Sequence, residues 1–118
     1  MFDSNNRVQI FHGDQSNPTF LEHVMNSIDT DLDVIIDDGS HVYYHQQVSL
    51  ITLFKKVKSG GLYIIEDFHY TPYVIPKTLH TRDLLLNLDQ FKLCSYLNQN
   101  DVDHFIDSVD NMRWFDSA

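Results

Sequence analysis

The chain has 118 residues, the size of one small domain, and 42% of them are apolar, which is enough for a folded core. Eight basic residues against 17 acidic ones give a formal net charge of -9. This charge repels nucleic acids and anionic membranes on average, so we expect neither as a partner. Cys94 is the only cysteine, which excludes an internal disulfide and is compatible with a reducing compartment. No apolar run approaches the roughly 20 residues of a membrane span, and the start "MFDSNNR" has no signal-peptide pattern, so we predict a cytoplasmic location.

The first third of the chain predicts a strand, a helix and a second strand. "RVQIF" (residues 7–11) is a short apolar run that ends in the turn-rich "HGDQSNP", which is typical of a strand followed by a loop. Asn17 and Pro18 then form a helix cap and a first-turn proline, and apolar residues at helical spacing predict a helix over 18–29. "LDVII" is apolar without alternation, which predicts a central strand covered on both faces.

The middle of the chain predicts a βαβ unit. After "DDGSH" an apolar stripe at helical spacing runs to Val57, and Lys55, Lys56, Lys58 and Gly60-Gly61 predict the end of that helix. "LYII" is the next buried strand. A right-handed crossover between parallel strands places residues 37–41 and 66–69 just beyond two carboxyl strand ends, where open α/β sheets bind ligands.

The last third of the chain has weaker signals. "HYTPYVIPK" is a proline-punctuated loop, and four leucines from residue 84 onwards predict a helix that begins near residue 80. "DVDHFID" predicts a short helix and "SVDNMRWF" a strand.

Three carboxylates follow the two strands of the βαβ unit: Asp38, Glu66 and Asp67. Carboxylates at neighbouring strand ends repel one another unless a cation or protons neutralise them. Oxygen ligands alone favour Mg²⁺, Mn²⁺ or Ca²⁺ over zinc. His41 comes three residues after Asp38, so its ring can face the same space and act as a general base.

A structural interpretation of the same residues stays open at this point. Asp37 and Asp38 can accept hydrogen bonds from amides at the helix start, with Gly39 supplying the turn and Ser40 the cap. His41 and His45 lie four residues apart on the predicted helix, so they can share a metal ion or simply be exposed.

Three segments, in the order "FHGDQ", "DVIIDDGSH" and "SGGLYIIED", resemble class I S-adenosylmethionine-dependent methyltransferases. They look most like the macrocin and mycinamicin sugar O-methyltransferases and the related cephalosporin hydroxylase group, over about residues 7 to 70. This resemblance implies an α/β, Rossmann-like parallel-sheet fold. It also implies O-methylation of a hydroxyl on a sugar or glycosylated small molecule, with S-adenosylmethionine and Mg²⁺ as cofactors.

The resemblance assigns roles to particular residues. The second aspartate of "DDGSH" and both residues of "ED" hold Mg²⁺ in that family, which corresponds here to Asp38, Glu66 and Asp67. The histidine of the motif is the proposed catalytic base, hence His41. Asp14 and Gln15 are implied to lie by the adenine of the cofactor, and Asp37 near its methionine end.

The chain also departs from that family. The glycine-rich loop and the ribose-binding strand that precede "GDQ" have no counterpart before Arg7, and the closing hairpin keeps only its first strand. We therefore expect residues 1–118 to form a single, partial methyltransferase domain, without the amino-terminal strands and the last strand. We also expect weak or absent S-adenosylmethionine affinity and, because strand edges would be unpaired, a homo-oligomer. A non-catalytic metal- or partner-binding module and a cephalosporin-hydroxylase-type protein are the alternatives.

Overall fold

A computed structural model of the chain describes residues 7–40, 42–66 and 80–113. The helices and strands follow in the order α1 (Pro18–Asn26), β1 (Leu32–Asp37), α2 (Tyr43–Leu53), a 3₁₀ turn (Phe54–Lys56), β2 (Val57–Ile65), α3 (Thr81–Leu86), a 3₁₀ helix (Leu88–Leu93) and α4 (Gln99–Ser108). β1 and β2 pair in parallel, which confirms the α/β class and the strand–helix–strand unit. None of the described helices is long and apolar enough to cross a membrane.

The start of α1 matches its prediction. The side chain of Asn17 accepts hydrogen bonds from the amides of Thr19 and Phe20, at 3.0 and 3.4 Å, and Pro18 occupies the first turn. Leu21 and Met25, one turn apart, are buried. The helix ends at Asn26, because the next residues form a turn before β1.

The two strands are covered on one face. Val34 pairs with Leu62 and Ile36 with Ile64, and these side chains remain 39–60% exposed. The alternate residues Ile35, Tyr63 and Ile65 are half-buried on the face that packs against the helices. The prediction of strands covered on both faces is therefore wrong for the described residues, since the helices described there form a single layer.

Two predicted strands are not formed over the residues that the structure describes. Residues 7–11 join no ladder, and Val8 and Ile10 are 55% and 74% exposed. Residues 108–113 of "SVDNMRWF" are likewise not extended into a sheet, and the rest of that segment and the predicted loop "HYTPYVIPK" lie outside the described residues. An apolar run forms a strand only where it pairs with another strand, and neither segment joins the sheet of the described residues.

The junction between α2 and β2 also differs from its prediction. The helix ends at Leu53, and β2 begins already at Val57 and runs through both glycines. The register shifts here, because Leu32 pairs with Val57 whereas Val34 pairs with Leu62. Gly60 and Gly61 therefore belong to an irregularity inside the strand rather than to a helix end.

The core lies between α2 and the segment after β2. Its buried members come from these two parts and, in the case of Leu21, from α1: Leu21, Val48, Leu50, Ile51, Leu84, Leu85, Phe91, Cys94, Leu97, Val102 and Phe105. The rings of Phe54 and Phe91 lie edge-on to Phe105, at 4.8 and 5.4 Å between centroids. The predicted helices near residue 80 and around "DVDHFID" are confirmed, and they hold α2 in place from one side.

A buried polar network strengthens this attachment. Gln47 is fully buried, its Oε1 accepts a hydrogen bond from Tyr96 Oη, and its Nε2 donates to Thr81 Oγ1 at 3.3 Å. Thr81 Oγ1 donates in turn to the backbone oxygen of Tyr43, also at 3.3 Å. Because burial leaves these groups no water, each bond fixes α3 and the loop before α4 against α2.

Candidate functional site

The parallel pairing brings two predicted metal ligands to neighbouring strand ends. Asp37 is paired with Ile65, and the amide of Glu66 donates to the backbone oxygen of Asp37 at 2.9 Å. Asp38 and Glu66 therefore each follow directly on one of two hydrogen-bonded strands. Both residues are exposed, and within the described residues neither carboxylate makes a hydrogen bond or an ion pair.

Two uncommitted carboxylates fit the donor chemistry of a hard divalent cation. The third predicted ligand, Asp67, and the predicted base, His41, lie outside the described residues. Within the described part of the chain, no three histidine, cysteine or acidic side chains come together as a metal site. Backbone pairing thus sets Asp38 and Glu66 at adjacent strand ends, and their role as metal ligands stays a prediction.

Asp37 has a different environment from Asp38. It is buried, and its carboxylate accepts hydrogen bonds from the Gly39 amide at 3.0 Å and from Gln15 Nε2 at 3.2 and 3.4 Å. The structural interpretation is therefore correct for Asp37, since its carboxylate accepts a hydrogen bond from the Gly39 amide in the loop after β1. The Asp38 carboxylate accepts no hydrogen bond from a described residue.

Gln15 links three parts of the fold through its side-chain amide. Besides Asp37, Nε2 donates to Ser49 Oγ on α2 at 3.0 Å, and Oε1 accepts from the Ser40 amide at 2.7 Å. Ser49 Oγ donates back to the Gln15 backbone oxygen at 2.7 Å. A Cβ atom at Gly39 would overlap Gln15 Oε1, so a larger residue there would displace the Gln15 side chain.

Asp14 precedes this link and is exposed. Its Oδ1 accepts from the Ser16 amide at 2.8 Å and from Ser16 Oγ at 2.7 Å. These two hydrogen bonds lower the pKa of Asp14 below its ordinary value of 3.8. The Asp14 carboxylate is therefore ionised at neutral pH, and it lies in the loop that leads into α1.

The start of α2 corrects the predicted role of Ser40. The N-cap residue is Val42, and no side chain caps the helix. Ser40 Oγ instead accepts from the Val42 amide at 3.1 Å and lies 2.9 Å from His45 Nδ1. The helix begins later than the motif suggested, so the hydroxyl lies outside it, and one ring nitrogen of His45 is engaged with Ser40.

A cleft of about 230 Å³ opens beside Asp37 between β1, β2, α2 and the loop before α1. Tyr63 lines it, and its buried hydroxyl has no hydrogen-bond partner in the described part of the chain. Burial, and then the charge of Asp37, raise the pKa of Tyr63 well above its ordinary value. Sequence reasoning missed this residue, whose one signal was a polar tip inside the apolar run "LYII".

Comparison with curated proteins gives consistent matches. Over 67 residues the chain is 40% identical to mycinamicin VI 2''-O-methyltransferase from Micromonospora griseorubida. It is 43% identical over 67 residues to 8-demethyl-8-(2-methoxy-alpha-L-rhamnosyl)-tetracenomycin-C 3'-O-methyltransferase from Streptomyces olivaceus, and 40% identical to demethylmacrocin O-methyltransferase from Streptomyces fradiae. Over more than half its length, the chain resembles sugar O-methyltransferases.

The matches cover a large share of this chain but a small share of each relative. They take in 57% of this chain but 16–17% of these relatives, so the chain spans about a sixth of the length of the curated relatives it matches. No family model and no solved structure matches the chain. The resemblance that the motifs predicted is confirmed.

Proposed function

We propose that this chain forms the metal-binding edge of a Mg²⁺-dependent O-methyltransferase that transfers the methyl group of S-adenosylmethionine to a hydroxyl of a sugar or glycosylated small molecule. The observation that carries the proposal is the hydrogen bond from the Glu66 amide to the Asp37 oxygen at 2.9 Å, since it sets Asp38 and Glu66 at adjacent strand ends. The similarity to sugar O-methyltransferases supports the choice of reaction.

In this proposal Asp38, Glu66 and Asp67 hold Mg²⁺, and His41 is the catalytic base. When bound, Mg²⁺ supplies positive charge that lowers the pKa of a sugar hydroxyl. His41 accepts the proton of that hydroxyl. The oxygen then forms its bond to the methyl carbon as the S–C bond breaks, and the electron pair stays on sulfur.

The residues around the cleft form the cofactor side of the proposal. Asp37 is near the methionine end and Asp14 by the adenine, where its exposed Oδ2 makes no hydrogen bond to a described residue. Gln15 has a positioning role, because both its amide hydrogens and its amide oxygen already form hydrogen bonds within the protein. It holds the Asp37 carboxylate and the Gly39 loop in place for the cofactor.

The exposed sheet face favours a second candidate, a non-catalytic module that binds a partner. Val34, Ile36 and Leu62 present apolar side chains on one face, and such faces mark interaction sites. A homo-oligomer that covers this face is part of either candidate.

A cytoplasmic location is proposed as well, on the strength of the lone free cysteine.

Metal binding tests the site directly. Calorimetry with Mn²⁺ on the purified 118-residue chain should give saturable binding, and Asp38→Asn and Glu66→Gln should each weaken it at least ~10-fold, because each removes one charged oxygen ligand.

Asp103→Asn is the matched control, since it removes the same charge from an exposed position on α4. It should leave Mn²⁺ affinity unchanged. Equal affinities for wild type and Asp38→Asn would refute the proposed site.

A further inference from the structure

We propose that His45 and Ser40 are positioning residues for the metal-binding edge, and that the contact between their side chains holds the loop after β1 in the conformation in which Asp38 binds the cation. The sequence allows His45 to be a metal ligand or an exposed residue, and this assignment gives it a different role. It rests on the proposed function, because the position of the loop matters to binding only if Asp38 is a ligand.

Asp38 depends on its neighbours for its position. It is exposed, and its carboxylate accepts no hydrogen bond from a described residue. On one side of it, Asp37 accepts from Gln15 Nε2 at 3.2 Å and from the Gly39 amide at 3.0 Å. On the other side, Ser40 donates its amide to Gln15 Oε1 at 2.7 Å. The direction of the Asp38 side chain is therefore set by how firmly the rest of the loop is held.

Ser40 connects this loop to α2 through its hydroxyl. Its Oγ lies 2.9 Å from His45 Nδ1 and accepts a hydrogen bond from the Val42 amide at 3.1 Å. A hydroxyl has one donor and two acceptor sites, so the contact with His45 forms in either tautomer of the neutral ring. Both side chains are half-buried, which shields the contact from water.

The contacts of Ser40 close into a ring of hydrogen bonds. The ring runs from the Ser40 amide to Gln15 Oε1, from Gln15 Nε2 to Ser49 Oγ at 3.0 Å, one turn back along α2 to His45, and from there to the Ser40 hydroxyl. Residues four apart on a helix lie on the same face, so His45 and Ser49 hold the loop at two points of one rigid element. Loss of the His45 contact opens the ring and leaves the loop held through Gln15.

The same contact also resembles a helix-capping arrangement. His45 is the third residue of α2 and Val42 its N-cap, and the Ser40 hydroxyl bridges the two. A contact that served only the helix would affect the unfolding of the protein and leave its metal affinity unchanged. Metal affinity measured on the folded protein therefore distinguishes the two roles.

Calorimetry with Mn²⁺ on the full 118-residue chain tests the proposal with two substitutions of His45. His45→Asn keeps a polar atom at the same number of bonds from the backbone as Nδ1, so it should bind Mn²⁺ like wild type. His45→Gln places its polar atoms one bond further out, where they miss the Ser40 hydroxyl. It should bind Mn²⁺ at least ~5-fold more weakly, a smaller loss than the ~10–100-fold typical of groups bonded directly to a ligand.

Ser40→Ala removes the other side of the contact and should weaken Mn²⁺ binding by a similar factor. Combined with His45→Gln it should add little, because both changes break the same hydrogen bond. His104→Gln is the control, since it makes the same replacement at an exposed position on α4. It should leave Mn²⁺ affinity unchanged.

Amide hydrogen exchange of the metal-free protein gives a second readout that needs no cation. In His45→Gln the amides of Gly39 and Ser40 should lose protection by roughly 5-fold or more, because the loop opens more often. The amide of Ile51, in the buried part of α2, should exchange as in wild type.

Three results would overturn the proposal: equal Mn²⁺ affinity in wild type and His45→Gln, equally weak binding in His45→Asn and His45→Gln, or unchanged exchange at Gly39 and Ser40. In each case a wild-type chain that binds Mn²⁺ leaves the proposed function intact. A wild-type chain that binds no Mn²⁺ contradicts the proposed function, and the positioning role of His45 is then refuted with it.

Discussion

Lys55 connects three elements through one ammonium group. From the 3₁₀ turn after α2 it donates to Glu22 on α1 at 2.7 Å and to Asp101 on α4 at 3.1 Å. Burial by itself would lower the pKa of Lys55, but the hydrogen bonds and charges of Glu22 and Asp101 outweigh it and raise the pKa above 10.5. The folded state therefore binds this proton more tightly than the unfolded chain does.

Lys55→Met should lower the free energy of unfolding by about 1 kcal/mol at pH 7, since it removes both ion pairs. Because the pKa of Lys55 is raised in the folded state, its contribution to the free energy of unfolding is complete below pH 10.5. This contribution is lost as the pH rises through the folded-state pKa. Urea unfolding of both proteins at pH 7 and above pH 11 measures this, and the difference between them should shrink at the higher pH.

Lys92→Met is the control for that experiment. Lys92 pairs with Asp89 at 3.7 Å, and both side chains are largely exposed, so the change should cost close to nothing. An equal loss in Lys92→Met, or a Lys55→Met effect that does not depend on pH, would show that the three-element link is not electrostatic.

At the scale of elements, two adjacent glycines shape the start of β2 for different reasons. Gly60 has φ +84°, a left-handed conformation, but a Cβ there would meet open space. A Cβ at Gly61 would lie 2.7 Å from the Asp33 backbone oxygen and 2.7 Å from Val57 Cγ1. The first glycine is needed for its dihedral angle and the second for the close approach of β1.

Gly61→Ala should therefore destabilise the protein more than Gly60→Ala. We expect the free energy of unfolding to fall by about 3 kcal/mol in Gly61→Ala, because backbone atoms must move apart. In Gly60→Ala it should fall by about 1 kcal/mol, because alanine is strained in the left-handed conformation. Urea unfolding at neutral pH measures both, and each variant serves as the control for the other. Equal losses would mean that the register shift between β1 and β2 relaxes freely.

At the scale of the whole molecule, the sheet has surface that one layer of helices leaves uncovered. Val34, Ile36 and Leu62 are 45–60% exposed, on two strands that have no further partner in the described part of the chain. Parallel sheets normally have both faces covered, and unpaired strand edges readily pair with another chain. A second copy of the chain can satisfy both requirements.

We expect light scattering to detect an oligomer of the 118-residue chain. Ile36→Lys should shift it to monomer, because it places a charge in the apolar face. Leu93→Lys is the control, since Leu93 is 74% exposed on the second 3₁₀ helix, away from the sheet. A monodisperse wild-type monomer, or equal dissociation of both variants, would contradict the oligomer.

Features that depend on neighbouring residues could be predicted from the sequence. Asn17 and Pro18 start α1 through contacts within one turn, and helical spacing placed the cores of α2 and α4. The strand–helix–strand order also predicted that Asp38 and Glu66 follow parallel neighbouring strands, because a short crossover leaves few other arrangements.

Features that depend on distant residues were decided only by the tertiary structure. "RVQIF" has the composition of a strand but joins no sheet in the described residues, and there the apolar run of β1 is exposed on one face because no second layer covers it. Gln15 holds Asp37 across 22 residues, and the Tyr63 hydroxyl is buried without a hydrogen-bond partner among the described residues. Pattern within a segment sets its local conformation, whereas pairing, burial and hydrogen-bond satisfaction depend on which surfaces the rest of the chain supplies.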